Sequence, residues 1–233
     1  MASGAEVKRV EDTLERIGVA YGAERMNVFV ITSSIVITLE RSDGTLLTHT
    51  RRITKSGTDC LALERINALS RECCREPLPL DLFEQRLREC VPPKKQWQMY
   101  LGSVLAAGSF AVFFGGGWKD ALISGIFAVA ISLLQDYVEL ICINTMVFNV
   151  IASFLTGIGI RLICRLVPGL DMDMIMIGDI MLLIPGIPIT NAVRDVLTGD
   201  TISGIMRFIE AMLWAGCLAL GFLSAFWIVG KVW

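Results

Sequence analysis

Charge is divided along this chain more sharply than any other property. Residues 1–96 hold fifteen of the 21 Lys and Arg and fourteen of the 23 Asp and Glu, whereas residues 97–233 hold only six and nine. A charged side chain at the centre of a bilayer costs roughly 2.5–3.5 kcal/mol on insertion scales. The back of the chain therefore reads as membrane-embedded and the front as water-soluble. Hydrophobic residues make up 54% of the 233, above ordinary soluble usage. The expected fold class is a membrane α-helical protein of about five transmembrane helices, with a small N-terminal α+β domain on the cytoplasmic side. The domains are expected at 1–96 and 97–233. A net charge of −2 offers no electrostatic attraction for nucleic acid.

In the front part, Ser3 followed by Glu6 suggests a capping box, and Val7, Val10, Leu14, Ile17 and Tyr21 recur at helical spacing. Gly22 ends that helix. Two β-branched runs, 28–31 and 35–39, precede a Ser42-Asp43-Gly44 turn, and a third strand returns over 46–53. Helices are expected over 59–74, with Leu61, Ile66 and Leu69 as its apolar residues, and over 81–90. His49, Arg51 and Arg52 lie on or just after the last strand and Asp59 at a helix start; with no acidic neighbour for the His, they read as an exposed strand face. The seven cysteines show no CxxC spacing and read as free thiols of a reducing compartment. With His49 the sole histidine, Cys73-Cys74 lacks partners for a metal site, and no metal or other cofactor is expected. The polar first residues carry no signal-peptide core. Pro92-Pro93-Lys94-Lys95 reads as a stiff basic joint.

Behind the joint, apolar segments are expected at 99–117, 121–135, 140–160, 174–193 and 201–230. Trp97, Tyr100, Trp227 and Trp233 sit near segment ends as interfacial aromatics. Gly115-Gly116-Gly117-Trp118 forms a tight helix-packing turn, and the small residues Gly102, Gly108, Gly125, Gly157 and Gly159 suggest close helix packing. Five helices place the termini on opposite sides. The loop cations tie, with Lys94, Lys95, Arg194 and Arg207 on one side and Lys119, Arg161, Arg165 and Lys231 on the other. The thiol-bearing front therefore decides, and the N-terminus is expected in the cytoplasm.

The fourth segment is interrupted by Ile184-Pro185-Gly186-Ile187-Pro188. Proline removes backbone donors, and in hydrocarbon the freed carbonyls must lie against protein or a watery cavity. Transporters place cargo at such breaks; a simple kink, or a loop just outside the bilayer, is the other reading. The candidate cargo residues are Pro185, Gly186, Pro188, Thr190, Asn191, Arg194 and Asp195, with a helix N-terminus near 191–195 meeting a carboxylate. Asp179, six residues before Pro185 in an apolar helix, is a proton- or substrate-coupling residue acting with the break, a structural partner of Arg161 or Arg165, or simply close to the membrane interface. Arg207 and Glu210 are spaced to satisfy each other.

Several of these stretches occur together elsewhere. Gly4-Ala5-Glu6 with Arg9-Val10-Glu11, Ser34-Ile35-Val36-Ile37, Gly115-Gly116-Gly117-Trp118, and Pro185-Gly186-Ile187-Pro188-Ile189-Thr190-Asn191 with Arg194-Asp195 and Gly199-Asp200 resemble the threonine/serine exporter family. The resemblance covers nearly the whole chain, in order. It implies a cytoplasmic domain joined to one of two five-helix halves, as in the larger subunit of the split type, where a small membrane protein supplies the second half. It also implies a non-enzymatic secondary exporter in the cell (inner) membrane, with threonine, serine or a dicarboxylate such as succinate as cargo. Members usually carry a helix before the Gly-Ala-Glu motif, which here begins at residue 4, so either the start is shortened or it lies upstream. A membrane-anchored hydrolase or sensor is the competing reading, and an assembly subunit for another channel a third. Five helices exceed what an anchor needs.

Overall fold

The computed structural model describes residues 3–54, 57–91, 96–138, 141, 142 and 144–232. The Pro92-Pro93-Lys94-Lys95 joint, the expected start of the third segment at Leu140 and the terminal Trp233 lie outside the described residues. The chain divides into two compact units. Met1–Pro93 groups with Gly186–Ile209, and Lys94–Pro185 groups with Glu210–Trp233.

In the first unit, α1 (Val7–Ala20) leads into an antiparallel sheet of β1 (Arg25–Ile31), β2 (Ser34–Glu40) and β3 (Leu46–Arg52), in that order. The β2–β3 turn forms where the sequence suggested: Gly44 takes φ +79°, and the Asp43 carboxylate accepts the Thr45 N–H at 2.8 Å. Every residue of β3 is exposed, His49, Arg51 and Arg52 included. Helices α2 (Cys60–Arg75) and α3 (Leu80–Glu89) close the unit around Leu69, Cys73 and Cys90, with Tyr21, Ile66, Leu78 and Phe83 packed against them. Asp59 caps α2 by accepting the Ala62 N–H at 3.0 Å. Leu61 does not join this core. The buried stripe of α2 runs through Ala62, Leu69 and Cys73, and a residue one position away is turned about 100° off it, leaving Leu61 49% exposed. Glu11 fastens α1 to the sheet by accepting the Val30 N–H at 3.1 Å.

The Ser3 capping box does not form. Gly4, at φ +87°, turns the chain so that Glu6 becomes the N-cap of α1, with no side-chain cap of its own. The capping acceptor comes from 188 residues away, as described below.

The second unit contains α4 (Gln96–Phe113), α5 (Trp118–Tyr137), α6 (Thr145–Leu166), α7 (Met172–Leu183) and the later part of α9 (Thr201–Val232). Three described helices, α5, α6 and α9, are long and apolar enough to cross a membrane. A fourth span results if α7 and the helix that follows it, α8 (Gly186–Leu197), make one broken crossing. Helix α4 is not among them, since its first turn holds Gln96, Trp97 and Gln98. Helix α6 starts later than expected, behind an Asn144 cap, and runs past 160 to include Arg161 and Arg165. Arg161 donates to the Phe226 carbonyl at 2.9 Å and lies over the Phe226 ring, so it is held by α9.

The helices meet through apolar clusters, one of Ile131, Phe148, Ala152, Leu183 and Leu218, another of Ile160, Ile175 and Phe222. Large apolar residues such as Leu101, Leu105, Leu122, Leu155 and Leu223 remain exposed, as a lipid-facing surface requires. Close approach is set by small residues. A Cβ on Gly178 of α7 would stand 2.6 Å from the Ala107 carbonyl of α4 and 2.5 Å from Ser124 Oγ of α5. The glycine turn packs the same way through Gly116, whose Cβ would lie 2.9 Å from Met174. Trp118, expected to share in that packing, is instead 74% exposed, its ring pointing away from the unit's interior.

A substitution separates these cases. Gly178→Val forces a fixed backbone carbonyl aside and should destabilise the purified protein by roughly 1–3 kcal/mol. Gly102→Ala, with nothing within 4 Å of its Cβ, should be neutral or better in the same thermal unfolding series in detergent.

Candidate functional site

The break in the fourth segment is short. Helix α7 ends at Leu183, Ile184 is extended at ψ 130°, and α8 begins at Gly186. The second proline, Pro188, falls in the first turn of α8, where a missing N–H breaks no intrahelical bond. The helix N-terminus is therefore at Gly186, five residues before the 191–195 stretch in which the sequence suggested it.

Helix α8 has two unlike faces. Asn191, Ala192 and Asp195 are buried, while Gly186, Ile187, Thr190 and Arg194 are exposed. Gly186, Thr190 and Arg194 follow at i, i+4 and i+8, and Thr190 returns its hydroxyl proton to the Gly186 carbonyl at 3.0 Å. Pro185 is buried and Pro188 half-buried, so the prolines shape the break more than they line its surface.

The buried face is held by the first residues of the chain. Asn191 donates its amide N–H to the Gly4 carbonyl at 2.9 Å. Arg207, at the start of α9, donates to the Ala5 carbonyl at 3.0 Å. Glu6 pairs with Arg194. The Val7 N–H, an orphan donor of the first turn of α1, is accepted by Asp195 Oδ1 at 3.2 Å. The second Asp195 oxygen lies 3.3 Å from Arg207 Nε, with the aspartate side chain 0% and the arginine 12% exposed. Arg207 thus meets Asp195 where the sequence suggested Glu210. A buried carboxylate needs such compensation, and a negative charge at the start of α1 also suits its dipole. The Gly-Ala-Glu motif and the Asn-x-x-Arg-Asp motif are two halves of one clasp. Pattern reading missed this pairing because no local periodicity links residues 4–7 to 191–207.

Asp179 is set apart from that network. It is fully buried in α7, accepts one hydrogen bond, from Ser124 Oγ at 3.0 Å, and its second oxygen has no partner among the described residues. Neither Arg161 nor Arg165 pairs with it; among the described residues it makes no ion pair. Asp120 shows the opposite case: its two oxygens accept the N–H groups of Gly117 at 2.8 Å and Asp171 at 2.9 Å, tying the glycine turn to the cap of α7. Among the described residues no cluster of His, Cys, Asp or Glu is arranged to hold a metal.

The clasp makes unequal demands on its members. Asp195→Asn removes the charge that stands 3.3 Å from the nearly buried Arg207 and should cost roughly 3 kcal/mol. Glu6→Gln removes a pair whose arginine is 53% exposed and should cost less than about 1 kcal/mol. Hydrogen exchange at residues 7–10 measures both: protection should collapse in the first variant and persist in the second.

Comparison with known proteins places this geometry. Residues 1–229 match the family model described as "Putative threonine/serine exporter". The chain is 25% identical to the "Probable succinate transporter subunit YjjP" of Klebsiella aerogenes, over 95% of this chain and 86% of that one. It is equally similar to the Escherichia coli protein of that name, over 97% and 89%. It is 24% identical to the "Threonine/serine exporter" of Corynebacterium glutamicum, over 95% of this chain but 47% of that one. No solved structure matches. The match over nearly its whole length makes this chain a member of the threonine/serine exporter family, a membrane protein of transport and not an enzyme.

Proposed function

We propose that this protein is one subunit of a secondary exporter of small carboxylate-bearing metabolites, acting with a second, smaller membrane subunit in the cell (inner) membrane. Threonine, serine and the dicarboxylate succinate are the candidate cargoes; the names of the relatives support the class, and the word "subunit" in two of them supports the partner.

The contact of Val7 with Asp195 carries the topology of this reading. Two residues that touch within one unit lie on one side of a membrane, so the chain between them crosses an even number of times. Helices α5 and α6 and the broken α7–α8 pair supply three crossings. A fourth is needed, and α4 is the remaining helix, with Leu101, Leu105, Phe110 and Phe113 turned outward along it. Helix α9 then makes five. The described cysteines are all free, in keeping with a cytoplasmic N-terminal unit.

The exposed stripe of α8 suits a carboxylate. Orphan N–H groups of the first turn and the positive end of the helix favour an anion, and Arg194, paired with Glu6 in this structure, adds a fork that takes a cargo carboxylate by exchanging that partner. Asn191 and Asp195 hold the helix from behind while Pro185 and Pro188 fix the break. Asp179 is the coupling residue, since a buried carboxylate with a single hydroxyl donor retains an oxygen free to take up a proton.

Three outcomes follow from this reading. Cysteines placed at Ser3 and at Gly199 should label from the same side, and one near the C-terminus from the other; labelling of Ser3 and Gly199 from opposite sides would break the parity argument. Cells expressing the chain with its partner should export labelled threonine, serine or succinate, and Asp179→Asn should leave that flux indifferent to a pH gradient while expression is retained. Arg194→Lys keeps the charge but loses the fork, so it should raise the cargo concentration needed for half-maximal export several-fold, on the order of 1 kcal/mol. Normal gradient dependence in Asp179→Asn would make Asp179 a structural residue.

A further inference from the structure

We propose that the groove between α1 and α2, on the N-terminal unit and lined by no residue of α8, is a binding site for a small phosphate-bearing anion. The groove has a volume of about 440 Å³, within the range of small-molecule sites. Arg9 and Arg16 rise from α1, and Arg71 and Arg75 from α2. Between them lie the uncharged side chains of Thr13 and Ser70, the latter only 8% exposed.

The spacing shows that both helices contribute a whole face. Arg9, Thr13 and Arg16 recur at i, i+4 and i+7, and Arg71 and Arg75 at i and i+4. These positions are not needed by the core, which uses Val7 on α1 and Ala62, Leu69 and Cys73 on α2.

Charge decides what the groove accepts. Of its lining residues four are arginines and one, Asp12, is acidic. Asp12 is already occupied by Arg16 at 2.8 Å. Arg9, Arg71 and Arg75 make no ion pair among the described residues. The nearest candidate on α2, Glu72, is held by two bonds from Arg86 at 2.6 and 3.0 Å, and Glu76 lies in a neighbouring depression with Arg71 and Arg75 on its edge. Two like charges at i and i+4 destabilise a helix by themselves, and here they face two more across a groove. A multivalent anion removes that repulsion.

Phosphate fits better than carboxylate. Three guanidinium forks with no ion pair among the described residues, together with the Thr13 hydroxyl, offer more donors than two carboxylate oxygens can accept, whereas a phosphate group presents three terminal oxygens and a tetrahedral spread; the Ser70 hydroxyl is already given to the Asn67 carbonyl at 2.9 Å. The same chemistry is offered by a free phosphorylated metabolite and by an anionic lipid headgroup. The site is independent of cargo export, because it is read by binding and not by flux.

The test titrates the full chain, purified in neutral detergent, with inorganic pyrophosphate by calorimetry at low and at physiological salt. Saturable binding near one per chain is expected. The double variant Arg71→Gln/Arg75→Gln should weaken it at least about tenfold, and Arg9→Gln, on the opposite wall, should weaken it too. Arg51→Gln/Arg52→Gln, which removes two exposed β3 arginines, should leave it unchanged with the same melting temperature. Repeating the titration in nanodiscs with and without phosphatidylglycerol identifies the source. Pyrophosphate affinity lost only in the anionic discs assigns the site to lipid headgroups, and affinity retained in both assigns it to a soluble phosphate. Absent binding in neutral detergent, equal loss in the β3 variant, or succinate binding as tightly as pyrophosphate would overturn the proposal.

Discussion

The carboxylate of Asp195 is fully buried, and a buried charge is tolerated only when it is compensated. One oxygen takes the Val7 N–H, a donor that the first turn of α1 cannot satisfy from within its own helix, and the other faces Arg207. Arg207 has donors left over and gives one to the Ala5 carbonyl, while Asn191 reaches the Gly4 carbonyl one residue pair away. Each partner solves the other's problem. The start of α1, the buried face of α8 and the start of α9 are fixed together by that exchange, and the exposed face of α8 is fixed with them.

Set beside it, Asp179 shows how the same residue type serves different ends in different company. Asp195 has its charge balanced by Arg207 and one oxygen hydrogen-bonded to the Val7 N–H. Asp120 has no cation but two backbone donors, enough to hold a turn against a helix cap. Asp179 has one hydroxyl and Gly178 beside it, where α7 comes within touching distance of α4 and α5. Aspartate in an apolar helix is costly wherever it stands, and of these three, among the described residues, only Asp179 has an oxygen with neither a hydrogen bond nor an ion pair.

Much of this was legible in the chain. Helical periodicity and β-branched runs located α1, β2, β3, α2 and α3 to within a residue or two, while β1 begins at Arg25, three residues before the β-branched run that marked it. The charge divide and the Pro-Gly-Ile-Pro break were equally plain. What escaped was whatever depends on contact between distant segments. The Ser3–Glu6 capping box has the right spacing, yet Gly4 turns the backbone away and Asp195 does the capping from afar. Leu61 looked like a core residue by type and proved to be on the wrong side of α2. Arg207 had Glu210 at a suitable spacing and meets Asp195. For α8, the second proline suggested a longer unwound stretch, but proline at a helix start lacks nothing the helix needs there.

The clasp also sets an order of events during synthesis. Gly4 through Val7 leave the ribosome first, and their partners, Asn191 through Arg207, come some 188 residues later. At ordinary elongation rates of about 5–20 residues per second, the first turn of α1 waits roughly ten to forty seconds for its cap. Over that interval α4 to α7 must be made, while the first unit stands with an N-terminal helix end unmet. The unit is finished only when the chain beyond α7 has returned to it, so the front of the protein cannot close before residues 186–209 have been made.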